Sequence, residues 1–343
     1  MESDADELRS GLVALAGHEM PDAADLRIEG LERAGSGNSS ENWFFEARWR
    51  RDGREERHRL VLRRTPENEI VRNRREDEFL LLRALDGTGL PVPRVHWIDR
   101  DGRWLKRPAV VLARCPGRDD RALLSARGKA GLDEDRRVSI AAGMVDLLAA
   151  IHRLDVAALD LPASIRRETG PPARVELDKQ EAEALDDETV PCIELRAAAW
   201  WLRDNLPDSP PRLVLVHGDF RPANLLVDDG RVTALLDWEF AHVGDPAEDL
   251  GWYLAPRYRG EHFIEGRWAD EDFIGAYERA SGTRVDRKAV RWWSIFAQYK
   301  LCSMVLAAQK AFALGDATRI PVPAGPMFRE LLEAVRAEEG RRP

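Results

Sequence analysis

Three cysteines in 343 residues, Cys115, Cys192 and Cys302, are too few and too scattered for a disulfide framework, and no Cys-x-x-Cys pair offers a zinc site. They read as thiols of a reducing compartment. No apolar run approaches the roughly 18 residues of a membrane span. The best stretch, LCSMVLAAQKAFAL, is broken by Gln309 and Lys310. The opening MESDADELRS is acidic, without the basic start of a signal or transit peptide. Positive charge is not in excess either: 52 Lys+Arg against 61 Asp+Glu leave a net charge of −9, which argues against a nucleic-acid partner. The G-x-x-x-x-G-K-S/T loop of P-loop enzymes does not occur. These absences leave a soluble, cytoplasmic protein, monomer or homodimer, with no membrane and no nucleic acid among its partners.

What is present is a chain of two characters. Leu8, Leu12, Leu15 and Ala16 recur at helical spacing. LRIEGLERAG, NWFFEARWR and RLVLRR then read as strands, the last two joined by an Asp52-Gly53 turn. A helix is expected from Asn68 to Leu85, and two more strands, VHWID and PAVVLA, joined through a turn at Asp101-Gly102. Beyond Cys115-Pro116-Gly117 helices dominate, over Arg136–Leu154, Glu194–Asn205 and Lys288–Leu314. The expected organisation is a β-rich lobe over residues 1–113 and a mainly helical lobe over 114–343, with 160–192 a polar insertion or lid. The fold class is α+β.

The chemistry concentrates in VHGDFRPANLLVDDGRVTALLDWE, residues 216–239. LVLV (213–216) has the look of a buried strand that delivers HGDFRPAN as a loop. NLLV pairs with VTALL across the turn-rich tetrapeptide Asp228-Asp229-Gly230-Arg231, which puts Asn224 and Asp237 at the same open end of one hairpin. A carboxylate and an amide oxygen suit Mg²⁺, which takes few protein ligands and keeps waters or phosphates. Asp219 is then free to face a substrate hydroxyl, and base, asparagine and metal carboxylate together form the arrangement of kinases. A two-metal phosphoesterase built on His217, Asp219, Asp237 and His242 needs a second His/Asp cluster, which is not evident.

HGDFRPANLLVDDGRVTALLDWEFAHVGDPAEDLGW resembles the motifs of the aminoglycoside phosphotransferase-like kinases, which include choline kinases and the kinase-like domains of acyl-CoA dehydrogenase fusion proteins. The resemblance reaches from about Leu26 to Tyr253. It implies a bilobal protein-kinase-like fold, ATP (or GTP) and Mg²⁺ as cofactors, Asp219 as catalytic base, and Asn224 and Asp237 as metal ligands. His217, Glu239 and Asp249 become supports of that loop, and Leu112, Ala113 and Cys115 an adenine-binding hinge. Ser36, Gly37, Asn38 and Ser39, between two expected strands, suit a loop folded over phosphates. The chain departs from the kinase pattern at Arg63, where a strand lysine is usual; Glu78 is its expected partner, with Glu76 in reserve. In a period-two strand Arg64 points away from Arg63 and is expected to be dispensable.

The partners implied are a nucleotide and a small hydroxylated acceptor. Trp252, Trp292 and Phe296 are candidates for the acceptor pocket. Glu261, Glu265, Asp270, Glu271 and Asp272 suit a polycation, yet Arg257, Arg259 and Arg267 are interleaved with them. The expected function is phosphoryl transfer to a hydroxyl. The alternatives are a nucleotide-binding pseudokinase with a regulatory role and an antibiotic (aminoglycoside or macrolide) resistance kinase.

Overall fold

A computed structural model describes residues 2–34, 41–65, 75–129, 131–165, 169–315 and 323–341, residues 2 and 3 by their backbone alone. The chain divides into two compact units, one of residues 1–116 and 160–162, the other of 117–159 and 163–343. No described helix is long and apolar enough to cross a membrane.

The smaller unit runs α1 (Glu2–Glu19), β1 (Ala24–Arg33), β2 (Glu41–Arg51), β3 (Arg54–Arg64), α2 (Arg75–Leu85), β4 (Val95–Asp99) and β5 (Ala109–Ala113). The strands form one antiparallel sheet in the order β1-β2-β3-β5-β4. Asp52 and Gly53 both hold positive φ, 50° and 73°, the requirement of a two-residue hairpin turn whose twist matches the strands. Leu8, Leu12 and Leu15 of α1 are buried with Trp43, Phe45, Leu60 and Leu62 of the sheet in one apolar core. Leu60, Leu62 and Arg64 therefore share the face covered by α1, and Val61 and Arg63 lie on the other.

Two expectations fail in this unit. Asp101-Gly102 is not a two-residue turn, because β4 and β5 are separated by residues 100–108. The carboxylate of Asp99 organises that loop, accepting from the N–H groups of Arg103, Trp104 and Leu105 at 2.9, 2.9 and 2.7 Å. Arg64 does point away from Arg63, but not into solvent. Its guanidinium is buried, bonded to Glu41 at 2.8 and 3.2 Å, so it is a structural ion pair and not a dispensable residue.

The larger unit contains β6 (Arg118–Asp119), α3 (Glu134–Arg153), α4 (Pro172–Asp187), α5 (Ile193–Asp204), β7 (Val214–Val216), β8 (Leu225–Asp228), β9 (Arg231–Leu235), β10 (His242–Gly244), α6 (Pro246–Tyr253), α7 (Arg259–His262), α8 (Asp270–Ser281), α9 (Arg287–Ala313) and α10 (Ala324–Glu339). Aspartates start three of the helices: Asp133, Asp245 and Asp286 accept from Arg136, Ala247 and Lys288 N–H, each at 2.8 Å. The core is organised around α9, against which α6 packs closely. A Cβ at Gly251 would sit 2.5 Å from the backbone carbon of Trp293, so only glycine permits the approach. Segment 160–192, expected as a polar insertion or lid, carries α4, whose Ala173, Leu177, Gln180 and Ala184 are buried and which packs against α9.

Candidate active site

β7 is buried at all three positions and pairs antiparallel with β10, His242 opposite Val216. It delivers the loop 217–224 to the base of the β8–β9 hairpin. Asp229 and Gly230 close that hairpin with φ of 45° and 74°. Gly218 has φ +79°, and a Cβ there would lie 2.7 Å from both Cβ and O of Phe240. Only glycine allows the loop to turn this close to the segment that follows Asp237.

The loop is held from below by Asp249 of α6, which is fully buried. Its Oδ2 accepts from His217 N–H and its Oδ1 from Gly218 N–H, both at 2.8 Å, and His152 Nε2 lies 3.0 Å from Oδ2. His152 Nδ1 is in turn 2.7 Å from the Tyr277 hydroxyl. Burial alone would raise the Asp249 carboxyl, but the His152 hydrogen bond and charge, with His217, hold it below the usual carboxylate range. His217 is held neutral by burial, its titration pushed down despite the carboxylates nearby. Its Nε2–H donates to Leu236 O at 3.0 Å, which leaves Nδ1 to accept from Asp219 N–H at 3.2 Å.

Leu236 ties both sides of the site together, because its own N–H donates to Asn224 O at 2.8 Å. Asp237 follows directly, in the left-handed region at φ 58°, ψ 62°. An aspartate tolerates this conformation at a cost, and such residues gather at ligand sites. Asn224 is buried and directs Nδ2 to both the Oδ2 and the backbone O of Asp219, at 2.7 and 2.8 Å. Its Oδ1 is the atom with which it would hold a cation. A carboxylate and an amide oxygen on adjoining backbone, with the strained aspartate supplying the charge, fit Mg²⁺.

Asp219 is buried, and burial pushes its carboxyl above the usual range against the opposing pull of Arg221 and Asn224. It is more engaged than a carboxylate free to face a substrate. Trp252 Nε1–H donates to Oδ1 at 2.8 Å, and Arg221 Nε lies 2.9 Å from the same oxygen as an ion pair off the hydrogen-bond line. Each carboxylate oxygen can accept more than one bond, so an acceptor hydroxyl still has a lone pair to meet.

In the smaller unit Arg63 Nη1 is 2.5 Å from Glu78 Oε1 of α2, and Glu78 also faces Arg75 at 3.4 Å. Ser36, Gly37, Asn38 and Ser39 lie outside the described residues. At the end of β5, Leu112 is buried, Ala113 N–H donates to Arg94 O and Arg114 N–H to Arg59 O, both at 2.8 Å. Sheet pairing therefore takes these donors, and Cys115 is the first position of the segment beyond them. Glu239 sits in the 3₁₀ turn Trp238–Phe240.

Trp292 and Phe296, candidates for the acceptor pocket, are packed in the interior of the larger unit. Both are 2 % exposed, stacked with centroids 5.6 Å apart, and the Trp292 N–H bonds Leu202 O, so they are core. The acids considered for a polycation are largely occupied. Glu261 pairs with Arg121, Asp270 with Arg259 and Glu271 with Arg287, while Asp272 accepts from Ala269 N–H. Sequence reasoning missed His152, Tyr277, Arg221 and Lys300. The contacts of His152, Tyr277 and Lys300 span long stretches of chain that no local spacing marks, whereas Arg221 lies only two residues from Asp219 and could have been found from the loop itself.

A model of the phosphotransferase enzyme family matches residues 30–293. Acyl-CoA dehydrogenase family member 10 of Mus musculus is 30% identical over 208 residues, 60% of this chain and 19% of that protein. The chain thus spans about a fifth of that relative's length. Among solved structures, a putative aminoglycoside phosphotransferase from Ralstonia eutropha superposes with a TM-score of 0.71 at 21% identity, covering 94% of this chain and 98% of the other. A thermostable mutant of aminoglycoside phosphotransferase APH(4)-Ia, in ternary complex with ADP and hygromycin B, gives 0.61 at 17% identity over 95% and 98%. These likenesses establish a kinase-like fold.

Proposed function

The chain belongs to the phosphotransferase enzyme family, and from that premise we propose that it is a small-molecule kinase moving the γ-phosphoryl group of ATP to a hydroxyl of its acceptor. The observation that carries this reading is the Asn224 amide, which fixes the Asp219 carboxylate through Nδ2 while its backbone oxygen takes the N–H next to Asp237. One short loop thus holds a base and a pair of cation ligands in fixed relation.

Asp219 accepts the acceptor's hydroxyl proton as the new O–P bond forms and the bond to the leaving ADP oxygen breaks. Its buried carboxylate is a better proton acceptor than one in water. Asn224 and Asp237 would hold Mg²⁺, which when bound neutralises phosphate charge. Asp249, through His217 and Gly218 N–H, fixes the loop so that little reorganisation is needed at the moment of transfer. In the smaller unit the Arg63 guanidinium, oriented by Glu78, offers a fork of donors to nucleotide phosphates.

Titration of ATP at several Mg²⁺ concentrations tests the reading. Binding should require Mg²⁺ and weaken in Asn224→Ala and more in Asp237→Ala, which loses a charged ligand. Mg²⁺-independent binding unchanged in both variants would remove the metal pair and with it the kinase assignment.

A further inference from the structure

Lys300 of α9 is 9 % exposed, yet its ammonium makes no hydrogen bond and no ion pair with any described residue. It is held between two rings instead, 4.3 Å from the centroid of Phe240 and 5.4 Å from that of Trp252. Glu176, a carboxylate on which its charge acts, is bonded to Lys179 at 3.0 Å. The stem is buried but the ammonium nitrogen is not sealed from solvent, and two ring faces meet only part of its charge. An ammonium in this state is arranged for an anion that arrives.

Its place says which anion. The indole of Trp252 that lies beneath the ammonium donates its N–H to Asp219 Oδ1 at 2.8 Å. Phe240, the other ring, borders the loop at Gly218 and follows Asp237 by three residues. Lys300 therefore stands one indole ring away from Asp219, on the Trp252 and Phe240 side of that carboxylate. A second cation, Arg221, stands beside the same carboxylate with its guanidinium 5.4 Å over the Tyr258 ring. The nearby acids Glu261, Asp270 and Glu271 are each paired with an arginine. These three acids are thus not free to hold a polycation, while Lys300 has no carboxylate bonded to it among the described residues.

We propose that Lys300 receives an anionic group of the acceptor, so that the substrate is an alcohol also carrying a carboxylate or phosphate, and not a polyamine. This rests on the assignment of Asp219 as the base of a kinase. Aromatic walls beside the ammonium suit an apolar linker between the hydroxyl and the anionic group.

The test is calorimetric titration of the intact, Mg·ADP-loaded protein with matched probes: ω-hydroxycarboxylates and ω-hydroxyalkyl phosphates of about three to eight carbons, the corresponding amino alcohols, and neutral diols. At least one acid should bind at least tenfold more tightly than its amine and diol counterparts. Lys300→Met, which keeps the stem on the rings, should abolish that preference, and Lys300→Arg should restore part of it. Mg·ADP affinity checks the fold of each variant. The proposal is overturned if no acid binds, if amines or diols bind as well, or if Lys300→Met keeps the preference. Loss of Mg·ADP binding in the wild type would instead strike the kinase reading itself.

Discussion

Asn224 grips Asp219 twice with one nitrogen, its Nδ2 lying 2.7 Å from the carboxylate and 2.8 Å from the backbone oxygen of the same residue. The orientation of the proposed base is therefore set by a residue that also belongs to the proposed cation site. Asp219→Ala should lower kcat by roughly 10²–10⁴, a barrier increase of about 3–5 kcal/mol, with nucleotide affinity nearly unchanged. Steady-state kinetics with an active acceptor decides it; wild-type turnover in the variant would remove Asp219 from the chemistry.

Arg63 and Arg64 lie on opposite faces of β3 and should fail differently. Arg63→Ala should raise KM for ATP and lower kcat, and Glu78→Ala should be non-additive with it because both break one pair. Arg64→Ala should leave kinetics alone and reduce stability by roughly 2–3 kcal/mol, since it strips a buried carboxylate of one partner. The loss stays in this range because Arg107 still bonds Glu41 at 2.6 Å. Urea denaturation beside ATP kinetics separates the two; the reverse assignment of phenotypes would contradict the strand register.

Asp249 accepts from two backbone donors and faces His152, all buried. Asp249→Ala leaves those groups without an acceptor and should cost about 3–5 kcal/mol. Asp249→Asn keeps one acceptor oxygen and should cost less. Equal stability of the two variants, measured by chemical denaturation, would show that the loop does not depend on this carboxylate.

What was legible in the sequence was local. Asp229-Gly230 places Asn224 and Asp237 at one end of a hairpin because a two-residue turn fixes register, and periodicity marks α3, α5 and α9 to within two residues, while for α1 it marks only the apolar face. Asp101-Gly102 looks the same on paper as Asp52-Gly53. Only the Asp99 side chain, capturing three N–H groups, makes it part of a longer loop. Trp292 and Trp252 are likewise indistinguishable by spacing. One indole faces Leu202 in the core and the other reaches Asp219, a difference set by tertiary packing across 90 and 33 residues. Lys300 sits in a helix buried on most sides, where no amphipathic stripe separates a structural lysine from a binding one.

His242 gives a pH dependence whose sign can be worked out. Its Nδ1 donates to Phe240 O at 3.0 Å, and its Nε2 lies 3.1 Å from Glu248 and 3.8 Å from Glu176. Burial opposes the charged ring, but the two carboxylates outweigh it and raise the imidazole to about 9. Lys179, bonded to Glu176, and Lys300, whose field reaches it, oppose that rise without reversing it. The folded state thus binds this proton more tightly than the unfolded chain, whose ordinary value is 6.5. The stabilisation is fully present below pH 6.5 and is lost as pH rises through about 9. From the size of the rise it amounts to ~3 kcal/mol at most. His242→Gln cannot take up the proton, so the wild type should exceed it in stability at pH 6 and the gap should close towards pH 9.5. Urea midpoints of both proteins across that range measure it. A gap that stays constant with pH would mean that His242 is neutral in the folded protein and that Glu176 and Glu248 are held by other groups.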